Sequence, residues 1–495
     1  MKWMFIGLFL AALMVGAGFL LTDTESGSTL SANAEAARLC ELGSDQVQSF
    51  KFSEGARNLE TALELDPSLA EAAIPLTMAY WRLGKGDAYK KTLALADSLT
   101  TEILDDDRRM LAQMRLGLRH NSSFSGIIDS LMTRLEKEQP DNIHVMATKA
   151  ARLGMAGEEE LQFQVWQSIL DKNPNYAEAY NLMGYFELHR GNYQDAIEHM
   201  KKYAFLTPDL ANPHDSLGEV LMVMGQYEDA AGEFRAAIAL QPDFYFSYIN
   251  LGKTYLYRGM TKSGLDIMNQ VQEMVVGTDL GKGVDQGLMF TFLDMDMEAE
   301  ISQMTRTYIE RYPDHDLSPY FRAIRLAHMD RMNESQALMD STLSSWRSNE
   351  MYHADPKSRT SVDLAQKRYE AYLADLADQP STRIRKWSSL IAGMENHTPS
   401  QGQWYARIKL AKAYLDNNEP LMAQNQIRPI LEANNRLIPA LILAVRSDLA
   451  LENAEQARLA LEQLKWSIQQ SDEDFSGRQK TALLEESVVD LEGNL

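Results

Sequence analysis

The fold is decided by residues 175–276, in which one pattern is written three times. The three copies read NYAEAYNLMGYFELHRGNYQDAIEHMKKYAFLTP (175–208), DLANPHDSLGEVLMVMGQYEDAAGEFRAAIALQP (209–242) and DFYFSYINLGKTYLYRGMTKSGLDIMNQVQEMVV (243–276). The residues that recur at an interval of 34 are Gly184, Gly218 and Gly252, Ala196 and Ala230, and Pro174, Pro208 and Pro242. A fixed period of this length indicates a stack of identical supersecondary units, and hence a solenoid.

Each copy predicts two short amphipathic helices joined by a turn. In the second copy, Leu217 and Leu221 fall on the first helix, and Ala230 and Phe234 fall on the second. Apolar residues three or four positions apart form one stripe along a helix, which is the pattern of a buried face. Small residues such as Gly218 suit the point where the two helices cross closely.

The prolines are predicted to end each unit, because proline lacks the backbone N–H and clashes with the preceding helical turn. A polar residue follows each proline and is predicted to cap the next helix. These polar residues are Asn175, Asp209 and Asp243.

At these positions the sequence resembles the tetratricopeptide repeat. The residues that carry the resemblance are Tyr180, Gly184, Ala196, Tyr203 and Pro208 in the first copy and Leu217, Gly218, Ala230, Phe234 and Pro242 in the second. The third copy departs from the pattern, with Gly264 in place of alanine and Val276 in place of proline. The resemblance implies an all-α fold, a right-handed α-solenoid of helix-turn-helix repeats that binds other proteins. The chain as a whole resembles membrane-anchored or exported array proteins of bacteria.

Charge and cysteine content exclude several classes of function. The 495-residue chain has a net charge of −22 at pH 7, so its long-range field repels phosphate backbones and nucleic-acid binding is not expected. Its single cysteine, Cys40, leaves no partner for an intrachain disulfide and no cysteine-rich zinc site.

The N-terminus predicts a membrane segment. Lys2 precedes an uncharged apolar run, Trp3–Leu21, and a helix of roughly 19 residues spans about 28 Å, close to the hydrocarbon thickness of a bilayer. Residues 1–21 are therefore predicted to be a signal-anchor in the plasma (inner) membrane, crossing once, with the bulk of the chain extracytoplasmic or periplasmic. A cleaved signal peptide, giving a secreted or periplasmic soluble protein, is the alternative.

The remaining chain is divided by composition and by the quality of the repeats. Residues 22–34 are predicted to be a tether and residues 35–276 an N-terminal array. Residues 277–349 are expected to form a hinge and degenerate helical repeats, since Gly277–Gly287 holds four glycines. Residues 350–403 are expected to be an irregular helical insertion. Residues 404–495 are predicted to form two closing units and a capping helix.

No constellation of residues indicates catalysis. The stretch Gly277–Gly283 contains glycines and Lys282, as a phosphate-binding loop does, but no Ser or Thr follows the lysine and no strand is expected before the stretch. The alternating acids from Asp294 to Glu300 lack the glycine of a calcium loop. We therefore expect no enzyme activity, no cofactor and no metal.

The resemblance implies that the first helix of each unit lines a concave groove. The residues that it places there are Glu178, Asn181, Tyr185 and His189, then Asn212, Asp215, Glu219 and Met222, then Phe246, Ile249, Lys253 and Tyr257. This face is acidic in the middle and aromatic at one end, and predicts a protein or peptide segment with basic and apolar anchors as the partner.

Two alternatives stay open. These residues are also compatible with an ordinary solvated surface that binds nothing. The array could instead be a ligand-responsive regulator that closes on a small molecule or peptide at the Gly277 hinge. The oligomeric state does not follow from the sequence.

Overall fold

The structure is a computed structural model that describes residues 33–48, 51–83, 85–102, 133–275, 279–295, 297–349, 352–353, 356–377, 379–394 and 400–494. These residues form helices and connecting turns, and none of them lies in a β-strand. The helices are α1 (Ala34–Gln48), α2 (Phe52–Leu65), α3 (Ala70–Arg82), α4 (Gly86–Glu102), α5 (Ile143–Ala156), α6 (Glu159–Lys172), α7 (Ala177–Arg190), α8 (Tyr193–Leu206), α9 (Ala211–Val223), α10 (Tyr227–Leu240), α11 (Tyr245–Tyr257), α12 (Thr261–Val275), α13 (Asp279–Asp294), α14 (Glu298–Arg311), α15 (Ser318–His328), α16 (Met332–Ser348), α17 (Pro356–Leu376), α18 (Pro380–Met394), α19 (Trp404–Asp416), α20 (Pro420–Ala433), α21 (Ile438–Ala450), α22 (Ala454–Ser467) and α23 (Ser476–Asn494).

The helices pack as consecutive helix-turn-helix pairs. Each odd-numbered helix from α1 to α21 packs against the even-numbered helix that follows it, and from α5 onward each pair also packs against the next. Every unit thus buries its apolar stripe on its neighbours rather than around one central core. The predicted fold class, an all-α solenoid of helix-turn-helix repeats, is confirmed.

Small residues sit where the two helices of a repeat cross. A Cβ added to Gly184 would lie 2.8 Å from Met200 Cε, and one added to Gly218 would lie 2.6 Å from Phe234 Cε1. Ala230 is fully buried at the crossing of α9 and α10. The close approach of the two backbones therefore depends on the missing side chain.

The prolines end the repeats as predicted, but the predicted helix caps are wrong. Helices α6, α8 and α10 each end two residues before the proline. The following helices begin one residue later than predicted, so their N-cap residues are Tyr176, Leu210 and Phe244, and none of these makes a side-chain capping bond. A polar side chain before the proline stabilises the turn instead, since Asn173 Oδ1 accepts a hydrogen bond of 3.1 Å from the N–H of Asn175.

The 34-residue period continues through the stretch that was expected to act as a hinge. Helices α5, α7, α9, α11 and α13 begin at residues 143, 177, 211, 245 and 279. Helix α13 packs against α12 and α14 and buries Val284, Leu288, Met289 and Phe292. Burial of this apolar face outweighs the weak helix propensity of glycine, so the described part of this stretch keeps the stack intact. The domain boundaries given above stay predictions.

The C-terminal helices form two further pairs and an end cap. Ala423 and Ala457 are fully buried in α20 and α22, 34 residues apart. Helix α23 covers the last pair, where Val488 packs against Val445 and Leu461. A terminal helix that is polar outside and apolar inside closes the open end of a solenoid.

The solenoid also coils back on itself. Ser53 Oγ donates a hydrogen bond of 2.7 Å to Asp243 Oδ2. The hydroxyl of Tyr227 donates to Asn434 Oδ1 at 3.2 Å. These pairs are separated by 190 and 207 residues in the sequence, or about six repeats of the length found here. Each turn of the superhelix therefore rests on the turn before it.

The membrane localisation predicted from the sequence is corrected by the structure. Among the described residues no helix is both long and apolar enough to cross a membrane. Residues 1–21, predicted to be the membrane segment, and nearly all of the predicted tether, residues 22–34, lie outside the described residues. Neither the inner-membrane placement nor its secreted alternative is retained.

Candidate functional site

The candidate site is the face formed by the first helices of three successive repeats, α7, α9 and α11. Because these helices begin 34 residues apart, equivalent positions fall into rows that run along the solenoid. The rows are Glu178, Asn212 and Phe246, then Asn181, Asp215 and Ile249, then Tyr185, Glu219 and Lys253. The polar residues predicted for the groove therefore belong to neighbouring helices in one register.

Part of this face is a network of buried hydrogen bonds, which we name the polar ladder: Tyr185, Asp215, Glu219, Ser247 and Asn250. Tyr185 donates its hydroxyl to Glu219 Oε2 at 2.6 Å, across from α7 to α9. Ser247 Oγ donates to Asp215 Oδ1 at 2.7 Å. Asn250 Nδ2 donates to Glu219 Oε1 at 3.2 Å and to Asp215 Oδ1 at 3.4 Å. The ladder joins three helices, so its groups are engaged with one another.

Burial governs the electrostatics of the ladder. The Asp215 side chain is only 1% exposed. Loss of hydration, together with the nearby charge of Glu219, raises the pKa of Asp215 to about 8. Loss of hydration also raises the pKa of Glu219, against the hydrogen bond from Tyr185 and the positive charge of Lys253. The two carboxyl groups therefore hold protons more tightly than exposed carboxyl groups do.

A second part of the face, which we name the acceptor cluster, consists of Glu178, Asn181 and Asn212. Three buried oxygens, Glu178 Oε1, Asn181 Oδ1 and Asn212 Oδ1, have no hydrogen-bond donor in the described structure. Asn212 is completely buried, and its Nδ2 donates to the hydroxyl of Tyr203 at 3.0 Å. Burial raises the pKa of Glu178 to about 8. Buried hydrogen-bond acceptors without donors are rare and cost free energy, so the acceptor cluster is a candidate for binding a donor group of another molecule.

The other predicted site residues take different positions. Ile249 is 4% exposed and belongs to a core cluster that reaches into the following repeats. Met222 is buried among the residues of α7–α11. His189 lies beside Tyr185, with ring centroids 6.4 Å apart, and burial lowers its pKa to about 4. Ile249 and Met222 are therefore parts of the packed interior, and His189 is half-buried.

The aromatic end of the predicted groove is divided between two environments. Phe246 is partly exposed, and its ring contacts those of Phe244 and Tyr245, with centroid distances of 5.7 and 4.2 Å. Tyr257 packs against Tyr227, with centroids 6.0 Å apart, and against the apolar cluster of α19–α21. The chain's own C-terminal helices therefore cover the Tyr257 end.

Sequence reasoning missed three residues that shape the site. Ser247 and Asn250 lie one position away from the predicted rows, and Tyr203 lies on the second helix of its repeat. Ser247 and Asn250 could have been noticed as polar residues on the apolar side of α11, where both are buried. Tyr203 places a hydroxyl where the second copy has Ala237. The described residues contain no group of three or more His, Cys, Asp or Glu side chains able to hold a metal ion.

The comparisons with known proteins agree with this architecture. The family model of the tetratricopeptide repeat matches residues 165–198, from the middle of α6 into α8. The chain is a helical-repeat protein, and its segment 165–198 matches the tetratricopeptide repeat. Such a fold supports a role as a protein–protein interaction scaffold, and proteins of this type are typically not enzymes.

Several solved structures share the helical-repeat fold, while no curated protein sequence matches the chain. The yeast Tom70 structure is 14% identical, covers 92% of this chain and 96% of its own, and has a TM-score of 0.39. The Cut9–Hcn1 hetero-tetramer of APC/C is 11% identical, covers 96% and 89%, and has a TM-score of 0.46. At such identities and TM-scores a shared partner does not follow.

Proposed function

We propose that this protein is a non-enzymatic scaffold that binds a segment of a partner protein along α7, α9 and α11. The first helices of successive repeats form one continuous face, and a peptide lying across it would meet equivalent positions at each repeat. The strong negative charge of the chain, −22, favours a partner with basic residues.

The observation that carries this proposal is the acceptor cluster. The rest of the polar face is paired within the chain, but Glu178, Asn181 and Asn212 present buried oxygens that lack donors. Phe246 lies in the same row as Glu178 and Asn212 and stays partly exposed, so an apolar contact is available beside the polar one. A surface that combines a polar anchor and an aromatic contact is typical of peptide recognition.

Site-specific photocrosslinking tests the proposed surface. A benzoylphenylalanine in place of Phe246 is expected to crosslink to a partner in extracts of the native source. The matched control is the same amino acid in place of Phe205, which is 76% exposed on α8. If adducts form from position 205 and not from position 246, the partner binds elsewhere and the proposal fails.

A further inference from the structure

The polar face contains two kinds of buried group, and only one kind is available to a ligand. In the polar ladder, each carboxylate accepts hydrogen bonds from neighbouring helices, as when Tyr185 and Asn250 both donate to Glu219. In the acceptor cluster, one oxygen of each of three side chains receives none. The ladder therefore holds the helices together, and the cluster is where a donor is missing.

We propose that the acceptor cluster of Glu178, Asn181 and Asn212 binds a lysine or arginine side chain of the partner segment. This inference rests on the proposed function and names the chemistry of its anchor. Ammonium and guanidinium groups only donate hydrogen bonds, and they carry several N–H groups each. Three buried acceptor oxygens on α7 and α9 match such a group, whereas a carboxylate or phosphate would offer them no N–H donor.

The positions of the three side chains support a single pocket. Glu178 and Asn181 are three residues apart on α7 and therefore lie on one helix face. Tyr203 on α8 lies near both helices of the pocket. Its hydroxyl accepts a hydrogen bond from Asn212 of α9, and the charge of Glu178 on α7 contributes to the raised pKa of that hydroxyl. Glu178 remains partly exposed, so the pocket has contact with solvent.

Without a cation, the Glu178 carboxyl is held mainly neutral at pH 7, because burial raises its pKa to about 8. An entering cation would favour the ionised form, as a nearby positive charge always does for a carboxyl group. Binding is therefore expected to release a proton and to strengthen as the pH rises toward 8. Above the raised pKa of Glu178 the affinity should level off.

The other titratable groups on the surrounding elements differ in whether they stay neutral in this pH range. Tyr176, which precedes α7, and Tyr203 on α8 have pKa values raised by burial and stay neutral in this range. The pKa of His189, lowered to about 4, keeps that ring neutral as well. The pKa of Asp215 on α9 is raised to about 8 and that of Glu219 is raised as well, so the pH dependence must be measured against a Glu178 variant.

A selection from phage-displayed random peptides against the full chain tests the inference. We expect the selected peptides to carry Lys or Arg at one fixed position relative to an apolar residue. Against Glu178→Gln the enrichment at that position should fall by about tenfold or more, since the variant lacks the carboxylate that would accept a charge-assisted hydrogen bond from the basic side chain. Against Glu198→Gln, which removes the same charge from an exposed site on α8, it should persist.

Synthetic versions of the selected peptides supply the second readout. Their affinity for the wild type should rise between about pH 6 and pH 8, and replacement of Arg by the neutral citrulline should abolish the rise. Glu178→Gln should keep its fold, because glutamine has the shape and charge of the protonated carboxyl. Should that variant nevertheless unfold in circular dichroism, Asn181→Leu removes one acceptor without touching the carboxyl and is expected to lower affinity in the same peptides.

The outcomes separate this inference from the proposed function. Peptides that bind the chain with no fixed basic position, or that bind Glu178→Gln equally well, overturn the cation pocket and leave the scaffold function standing. The same holds if the pH dependence of binding is unchanged in Glu178→Gln, because the ladder carboxyl groups of Asp215 and Glu219 would then account for it. A selection that enriches no peptide above an empty-resin control counts against both.

Discussion

Gly218 shows how much a single residue decides in this fold. An added Cβ would lie 2.6 Å from Phe234 Cε1, closer than carbon atoms approach without a shift of the ring. Phe234 is fully buried and cannot move into solvent. The glycine is therefore needed for space between α9 and α10, not for an unusual backbone conformation.

Gly218→Ala is expected to destabilise the protein by about 1–3 kcal/mol, the usual cost of overpacking a core. The matched control is Gly232→Ala on α10, where an added Cβ would meet nothing within 4 Å. There, alanine should stabilise by up to about 1 kcal/mol through its better helix propensity. Urea denaturation measures both changes, and equal stability of the two variants would contradict the crossing assigned to Gly218.

Different glycines serve the turns. Gly157, Gly191, Gly225 and Gly259 have φ between 70° and 84°, the left-handed region that glycine adopts at little cost. They recur at the interval of 34 and join the two helices of each repeat. Sequence reasoning identified the crossing glycines and overlooked these, although both sets obey the same period.

At the scale of elements, α7, α9 and α11 are joined through the polar ladder rather than through apolar contacts alone. Asp215 receives hydrogen bonds from Ser247 and Asn250, so α9 and α11 are fixed in register. A buried network in which every member is satisfied specifies one arrangement of the elements that it joins. The ladder thus holds the helices whose exposed edge forms the candidate site.

The ladder predicts a pH dependence of stability. Asp215 has a pKa of about 8 in the folded chain and about 4 in the unfolded chain. The folded state thus binds more protons between these values, and the stabilisation, complete below about pH 4, is lost as the pH rises toward 8. The free energy of unfolding should fall with rising pH, by no more than about 1.4 kcal/mol per pH unit from this group.

Urea denaturation at several pH values between about 5 and 8 measures this effect. Asp215→Asn has no titrating group at position 215, so its free energy of unfolding should fall less steeply with pH than that of the wild type. Asp266→Asn changes an exposed carboxyl on α12 and should follow the wild type. Identical slopes for the wild type and Asp215→Asn would show that the buried carboxyl does not titrate in this range.

At the scale of the whole molecule, contacts between distant repeats set the pitch of the superhelix. Arg436 lies over the ring of Trp466, with its guanidinium carbon 4.1 Å from the ring centroid, and pairs with Glu228 of α10. The N–H of Asp472 donates to the carbonyl of Gly259 at 3.1 Å. Two stretches about 210 residues apart are thereby held together, at about the length of six repeats.

Arg436→Ala is expected to loosen this contact and to let the superhelix extend. The radius of gyration from small-angle X-ray scattering should increase, while helicity in circular dichroism stays unchanged, because each repeat is still packed on its neighbours. Arg458→Ala is the control, since Arg458 makes exposed ion pairs with Glu462 of its own helix and with Glu492 of the adjoining α23 and, among the described residues, none with a distant repeat. If both variants scatter like the wild type, the contact does not set the pitch.

The candidate site was only partly predictable. The rows of residues follow from the period, and Asn181, Tyr185, Asp215 and Glu219 lie on neighbouring first helices. Their role in binding stays a prediction. Their hydrogen bonds were not predictable, because they depend on the distance between helices and on residues such as Asn250 in the next repeat. That Glu178 Oε1 and Asn212 Oδ1 lack donors is visible only after every neighbouring donor has been located.

The sequence by itself determined the repeat, its helices and the positions of the crossing residues, because these depend on contacts between residues close together in the chain. The tertiary structure alone decided that α13 continues the stack through a glycine-bearing stretch, since burial of Phe292 and its neighbours outweighs local propensity. It also decided where the superhelix touches itself, as at Tyr227 and Asn434. Small rotations between repeats accumulate over many units, and no local pattern in the sequence encodes their sum.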